Sequence, residues 1–244
     1  MIQIKDLYKS FGGNQVLKGV NLEVPRGSTS VIIGGSGSGK SVLMKHMLGL
    51  LKPDSGQVIV DGEDVTGFGE RKMVQVRGKF GMVFQQSALF DSMNVGENVA
   101  FPLREHRKEL KDPEIKKIVA EKLAIVDLTG IEHLMPSELS GGMRKRVGLA
   151  RAVVLDPKIL LYDEPTTGLD PISTNAVDEM IMSAQERLGI TSVVISHDIA
   201  SSFRVATHVA MLFEGVLVDQ GSPDELRKSK HPYVNEFLST WFDR

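Results

Sequence analysis

Gly34-Gly35-Ser36-Gly37-Ser38-Gly39-Lys40-Ser41 has the spacing G-x-x-x-x-G-K-[ST], and its setting decides the fold. Ser30-Val31-Ile32-Ile33 before it reads as a buried strand, and Val42, Leu43, Met44, Met47 and Leu48 after it recur on one helical face. A glycine-rich turn between strand and helix curls the backbone so that successive N–H groups face phosphate oxygens, with the positive end of the helix dipole behind them. Lys40 is placed to reach the β- and γ-phosphates of a nucleoside triphosphate, and the Ser41 hydroxyl to ligate Mg²⁺.

A second part of the same site is expected downstream, where Ile159-Leu160-Leu161-Tyr162 runs into Asp163-Glu164. A continuous apolar run is a strand buried on both faces of a parallel sheet, and ligands sit beyond the carboxyl ends of such strands. Asp163 would hold Mg²⁺ directly or through water, as a Walker B aspartate does. Glu164 would orient or deprotonate the attacking water.

Between these lies Leu139-Ser140-Gly141-Gly142-Met143, then Arg144-Lys145-Arg146 and the apolar stretch Val147 to Val154. Serine and paired glycines at a helix start make another anion pocket. Here the chain resembles the ATP-binding cassette (ABC) family, in which an LSGGQ-like segment clamps the γ-phosphate of ATP held by a second copy. The resemblance implies that Ser140, Gly141, Gly142 and Met143 act in trans, although Met143 stands where the common form has glutamine. It further implies that Phe11 stacks on adenine with Val16 beside it, Tyr8 being the competing aromatic. Gln85 matches the glutamine that touches Mg²⁺ and water, Asp170 in Gly168-Leu169-Asp170 matches the D-loop, and His197 matches the switch histidine on the γ-phosphate.

The implied fold is the α/β P-loop NTPase arrangement of an ABC ATPase domain: a mostly parallel core sheet with helices, an N-terminal antiparallel β subdomain and an inserted helical subdomain. The chain is expected to be one such domain over 1–244, with core and β subdomain in 1–86 and 153–244 and the helical lobe in 87–152.

Composition is compatible. Twenty-nine Lys and Arg balance 31 Asp and Glu, so nothing suggests a nucleic-acid partner, and Arg144-Lys145-Arg146 reads as a solvated helix face. The absence of cysteine excludes disulfides and thiolate metal sites, and the six histidines form no ligand-like cluster. The longest stretch free of charged residues, Gly27 to Gly39, falls short of the roughly 18 residues that span a bilayer. With no basic-then-apolar leader, the expected location is cytoplasmic, on the inner face of the membrane through a partner.

Alternation at Ile2-Gln3-Ile4, at Leu22 and Val24, and at Val58 and Val60 predicts antiparallel strands, with turns at Asp54-Ser55-Gly56 and Asp61-Gly62. Ile115, Ile118, Val119, Leu123 and Val126 mark the apolar face of a lobe helix starting near Asp112-Pro113. Val209 to Phe213 and Val216 to Val218 predict a hairpin across Glu214-Gly215, and Ser222-Pro223-Asp224-Glu225 a capped helix start. The tail from Tyr233 to Trp241 has helical apolar spacing, for docking on its own domain or on a neighbouring chain.

Within the lobe, Ala88-Leu89-Phe90, Met93-Asn94-Val95, Pro102-Leu103-Arg104-Glu105-His106 and the methionine-ending signature resemble the ATPase of Mla-type phospholipid transporters. That resemblance implies a homodimeric ATPase closing around two Mg·ATP, an integral-membrane permease, an MCE-domain substrate-binding protein and, in many members, a STAS-domain subunit. Phe90 and Met93 would line either a partly exposed permease groove or the lobe core. The alternatives are the ATPase of a small-solute importer and a soluble cassette acting in DNA repair, translation or cofactor assembly. Repair members need long coiled coils between Gly34 and Ser140, for which there is no room, and translation members join two cassettes in one chain.

Overall fold

The computed structural model describes the backbone of residues 1–242 and the side chains of residues 1–240. Two sheets organise it. The first has the order β2 (Asn14–Val24), β1 (Ile2–Phe11), β4 (Ser55–Val60), β5 (Glu63–Asp64), with antiparallel pairing throughout. Ile2 lies between Val24 and Val60, and Ile4 between Leu22 and Val58, so the alternating apolar residues share one buried face. Asp61 and Gly62 join β4 to β5 with φ of 55° and 84°, the positive pair that a two-residue type I′ turn requires. At Asp54-Ser55-Gly56 the expected turn is shorter: Ser55 and Gly56 already belong to β4, and Ser55 pairs with Tyr8 across a bulge in β1.

The second sheet has the order β10 (Val216–Gly221), β9 (His208–Phe213), β3 (Thr29–Ile33), β8 (Thr191–Ser196), β7 (Ile159–Asp163), β6 (Phe80–Phe84). All neighbours are parallel except the edge hairpin β9–β10, which turns at Glu214-Gly215. Strands β3, β7, β8 and β9 are buried along most of their length because both faces are covered, whereas the edge strand β10 is partly exposed. Ile32, Ile159 and Leu161 face a core shared with helix α1 (Lys40–Met47) and the antiparallel sheet, whereas Val31, Leu160 and Tyr162 face the core shared with the helical side.

On that helical side α3 (Val95–His106), α4 (Asp112–Ile125) and α5 (Gly141–Ala152) pack through Val99, Leu103, Ile115, Val119, Leu123 and Val147. Ile118 of the predicted face is only half-buried. Helix α2 (Glu70–Arg77) precedes β6, while α6 (Pro171–Leu188) and α7 (Ile199–Val205) follow β7 and β8. Helix α8 (Pro223–Arg227) starts with the predicted box, in which Glu225 N donates to Ser222 Oγ at 3.3 Å and Ser222 N to Glu225 Oε2 at 2.7 Å. The tail forms α9 (Pro232–Phe242) and docks on its own chain: Val234 and Leu238 are buried, and Tyr233 stacks on Phe213 with centroids 3.6 Å apart. The side chain of Trp241 lies outside the described residues.

Candidate active site

The loop after β3 has a shape that requires glycine. Gly34, Gly37 and Gly39 have φ of 155°, 77° and 107°. A Cβ at Gly34 would stand 2.1 Å from the Leu212 carbonyl oxygen, and one at Gly39 would stand 2.8 Å from the Leu17 side chain. Lys40, at the start of α1, is buried and donates from Nζ to the carbonyls of Gly34 at 2.7 Å and Gly35 at 2.9 Å. Burial pushes its pKa down, and the Glu164 charge opposes that shift. Ser38 Oγ is buried with no hydrogen-bond partner among the described residues. Ser36 and Ser41 are exposed, and Gly35 and Val42 half-buried. An orphan hydroxyl, an ammonium satisfied only by neutral carbonyls and an open glycine turn on a helix N-terminus fit a polyphosphate.

Register brings the remaining groups to the same end of the sheet. Phe84, Asp163 and Ile195 are direct neighbours across β6, β7 and β8, and Ile33 is paired with Ser196. Gly34, His197, Glu164 and Gln85 therefore leave four adjacent strands at one level. Asp163 is half-buried, and burial first and the Glu164 charge second raise its carboxyl pKa, a strain that a cation there would relieve. Glu164 holds φ of 47°, a costly value for a residue with a Cβ, and its N donates to the Ile195 carbonyl at 2.9 Å. Its Oε2 accepts from Thr167 Oγ1 at 2.8 Å and lies 3.2 Å from Nδ1 of His197. Gln85 is exposed; the strained residues after it, Ser87 and Ala88, are held by Arg151, which donates to their carbonyls at 2.7 and 2.8 Å. Asp170 caps α6, accepting from Ile172 N at 2.9 Å and Ser173 N at 3.0 Å.

The β1–β2 hairpin overhangs the loop. The Val16 carbonyl oxygen lies within 3.2 Å of where a Gly39 Cβ would be. At the hairpin end Phe11 is 45% exposed, with Lys9 Nζ 5.4 Å from its ring centroid. Tyr8 keeps 39% exposure, but its ring lies against Gly19, where a Cβ would meet the hydroxyl at 2.7 Å, so one face is taken by its own sheet.

The signature segment lies apart from the loop of its own chain. Ser140 caps α5, accepting from Met143 N at 3.2 Å. Ser140, Gly141 and Gly142 line a cleft of about 760 Å³ together with Leu169 and Ile172, and none of residues 34–41 lines it. One expectation fails here: Lys145 does not belong to a solvated basic face. It is half-buried, and its Nζ donates to the carbonyl of Pro165, next to Glu164. Thr167, Arg151 and Lys145 had no legible signal in the sequence, because each acts through a partner that only the folded chain supplies.

The ABC transporter family profile matches residues 17–167, more than half of the 244 residues. The chain belongs to the ABC transporter family. Among curated relatives, the Escherichia coli intermembrane phospholipid transport system ATP-binding protein MlaF is 39% identical over 98% of this chain and 88% of its own length. A Haemophilus influenzae protein of the same name is likewise 39% identical over 98% of this chain. A Mycobacterium leprae protein named probable ribonucleotide transport ATP-binding protein mkl is 44% identical, and this chain spans 68% of it. Among solved structures, cbiO1 of Clostridium perfringens, described as part of an ABC transporter complex, superposes with TM-score 0.87 at 31% identity over 100% of this chain and 96% of that one. The dimeric bacterial cassette MJ0796 superposes with TM-score 0.79 at 32% identity over 91% of this chain and 99% of that one, and it is also known bound to ADP and phosphate. As an ABC ATPase this chain binds and hydrolyses ATP. No described helix is long and apolar enough to cross a membrane.

Proposed function

We propose that this ABC protein is the ATPase of a complex that moves phospholipids between membranes and sits on the inner face of the inner membrane through a permease. The similarity to MlaF proteins along 98% of the chain carries this reading. ATP binds with its phosphates in the Gly34–Ser41 turn, its β- and γ-phosphates against Lys40 and its base on the free face of Phe11, flanked by Val16. Ser41, Asp163 and Gln85 offer only oxygen donors, a set suited to Mg²⁺, which when bound neutralises charge on the β- and γ-phosphates. Glu164 accepts a proton from the water that attacks the γ-phosphorus while ADP leaves, and His197 steadies the transferred group. Ser140, Gly141, Gly142 and Met143 complete the site of a second copy, with Asp170 at the junction. ATP then favours the closed pair, and hydrolysis releases it.

The surface beside Gln85 suits a permease segment. Phe84 and Phe90 are 40% and 42% exposed, and Met93 is half-buried. Asn98 holds this segment in place, accepting from Phe90 N at 2.8 Å and donating to the Phe90 and Met93 carbonyls. Phe90 is thus displayed, not sequestered in the lobe. The complex would include an MCE-domain protein and, as the resemblance implies for many members, a STAS-domain subunit. The mycobacterial relative's name keeps one rival reading in view, a transporter of small polar solutes. Purifying the detergent-solubilised complex and identifying its proteins and bound small molecules separates the two. A permease with an MCE protein and phospholipid supports the proposal; a solute-binding protein without lipid overturns it.

A further inference from the structure

We propose that Arg151 is the positioning residue for Gln85: it holds the turn that carries Gln85 in a conformation the turn's own residues disfavour, and so sets how well the chain binds Mg²⁺ beside the phosphates. The inference rests on the metal role of Gln85 proposed above.

Sheet register fixes Gln85 on one side only. Phe84, the last residue of β6, pairs with Asp163. Beyond it the chain reverses through Gln85 and Gln86, and Ser87 N closes the reversal on the Phe84 carbonyl at 2.9 Å. The residues that complete it, Ser87 and Ala88, have φ of 61° and 46°. Neither is glycine, so each holds a left-handed backbone at a cost that nothing in the local sequence offsets. Left to itself the turn would relax and take Gln85 with it.

Arg151 opposes that relaxation. Successive left-handed residues point their carbonyls the same way, as successive residues of a helix do. The planar fork of Arg151 meets this arrangement, Nη2 donating to the Ser87 carbonyl at 2.7 Å and Nη1 to that of Ala88 at 2.8 Å. The guanidinium is itself held, with its Cζ 5.9 Å from the centroid of the Phe90 ring. The platform behind it is fixed, because α5 is packed into the core through Val147, Leu149 and Ala150. Gly148, three residues before Arg151, brings the helix against the turn: a Cβ there would stand 3.2 Å from Ser87 Cβ. A half-buried guanidinium whose hydrogen bonds go to two strained carbonyls is suited to fixing a shape.

The test is the affinity of the full chain for a non-hydrolysable ATP analogue, by equilibrium titration with Mg²⁺ and again with EDTA. The chains compared are the native one, Gln85→Ala, Arg151→Met, Arg151→Lys, and Arg151→Met combined with Ala88→Gly. Gln85→Ala should reduce the Mg²⁺-dependent gain in affinity roughly 10-fold, the lower end of the scale for a disturbed metal shell. Arg151→Met should do the same while the EDTA value stays unchanged, a pattern that general loosening of the fold would not give. Arg151→Lys should fall between, since one ammonium cannot present two parallel donors. Ala88→Gly should restore much of the gain in Arg151→Met, because glycine takes the left-handed conformation without a clasp. If Arg151→Met does not fold, Arg151→Lys with and without Ala88→Gly carries the same comparison. An unchanged gain in the Arg151 variants beside a reduced one in Gln85→Ala overturns the positioning role alone. A loss that Ala88→Gly does not lessen places the effect in packing and overturns it too. An unchanged gain in Gln85→Ala overturns the metal role of Gln85, and the inference with it.

Discussion

Nδ1 of His197 stands 3.2 Å from Oε2 of Glu164, at the ends of neighbouring parallel strands. Thr167 holds the same carboxylate oxygen at 2.8 Å. The carboxylate is thus oriented by two side-chain partners, as its proposed handling of one water molecule requires.

Glu164→Gln should retain ATP binding and lose roughly 10²- to 10⁴-fold in turnover, the scale of a missing general base. ATP-bound dimers should accumulate. Turnover near the native rate would remove Glu164 from the chemistry.

In the proposed binding mode Lys40 serves the phosphates and not the attacking water, so Lys40→Ala should act on binding. The expected loss is about 1.5–3 kcal/mol, roughly 10- to 100-fold in Kd, for hydrogen bonds to a charged group. Equilibrium titration with a non-hydrolysable ATP analogue reads this directly. Ser140→Arg, in contrast, should leave binding by the single chain intact and block ATP-dependent dimerisation. A normal dimer on size-exclusion chromatography would disprove the trans role of the signature.

Phe90 is 42% exposed and touches Phe101 with centroids 4.9 Å apart, whereas Leu103 of the same lobe is 1% exposed. Phe90→Ala should therefore cost under about 1.5 kcal/mol, against about 2–5 for Leu103→Ala. The Phe90 and Met93→Ala chains should fold but no longer co-purify with the permease. Retained co-purification would place the permease contact elsewhere.

Asp61 accepts from Arg26 at 2.5 Å and Lys158 at 2.7 Å, fastening the antiparallel sheet to the base of the parallel one. The Lys158 hydrogen bond first, and that of Arg26 next, lower its pKa from 3.8 to about 2. A depressed carboxyl pKa stabilises the fold above its unfolded value and loses that contribution as pH falls toward about 2. Asp61→Asn should lower stability at pH 7 by about 1 kcal/mol, allowing for solvent around both cations. The difference from the native chain should shrink as pH falls from about 4 to about 2. A gap that persists in acid unfolding curves would rule out the charge as its source.

Everything carried by short-range pattern was present in the sequence. The glycine spacing of 34–41, the apolar run into Asp163-Glu164, the alternation in β1 and β4 and the Ser222–Glu225 cap depend on residues a few positions apart, where chain geometry converts spacing into shape. Contacts between distant segments were not, because they depend on how crossovers lay one strand beside another. Only the folded chain sets Lys145 on the carbonyl after Glu164, Arg151 on the strained turn after Gln85, and Asn98 beneath the displayed Phe90. It also shortened the turn at Asp54-Ser55-Gly56, where pairing of Ser55 with Tyr8 overrode local turn preference, and it laid the tail on Phe213 of its own sheet. Local chemistry named the groups proposed to meet ATP; tertiary packing decided which of them stand together.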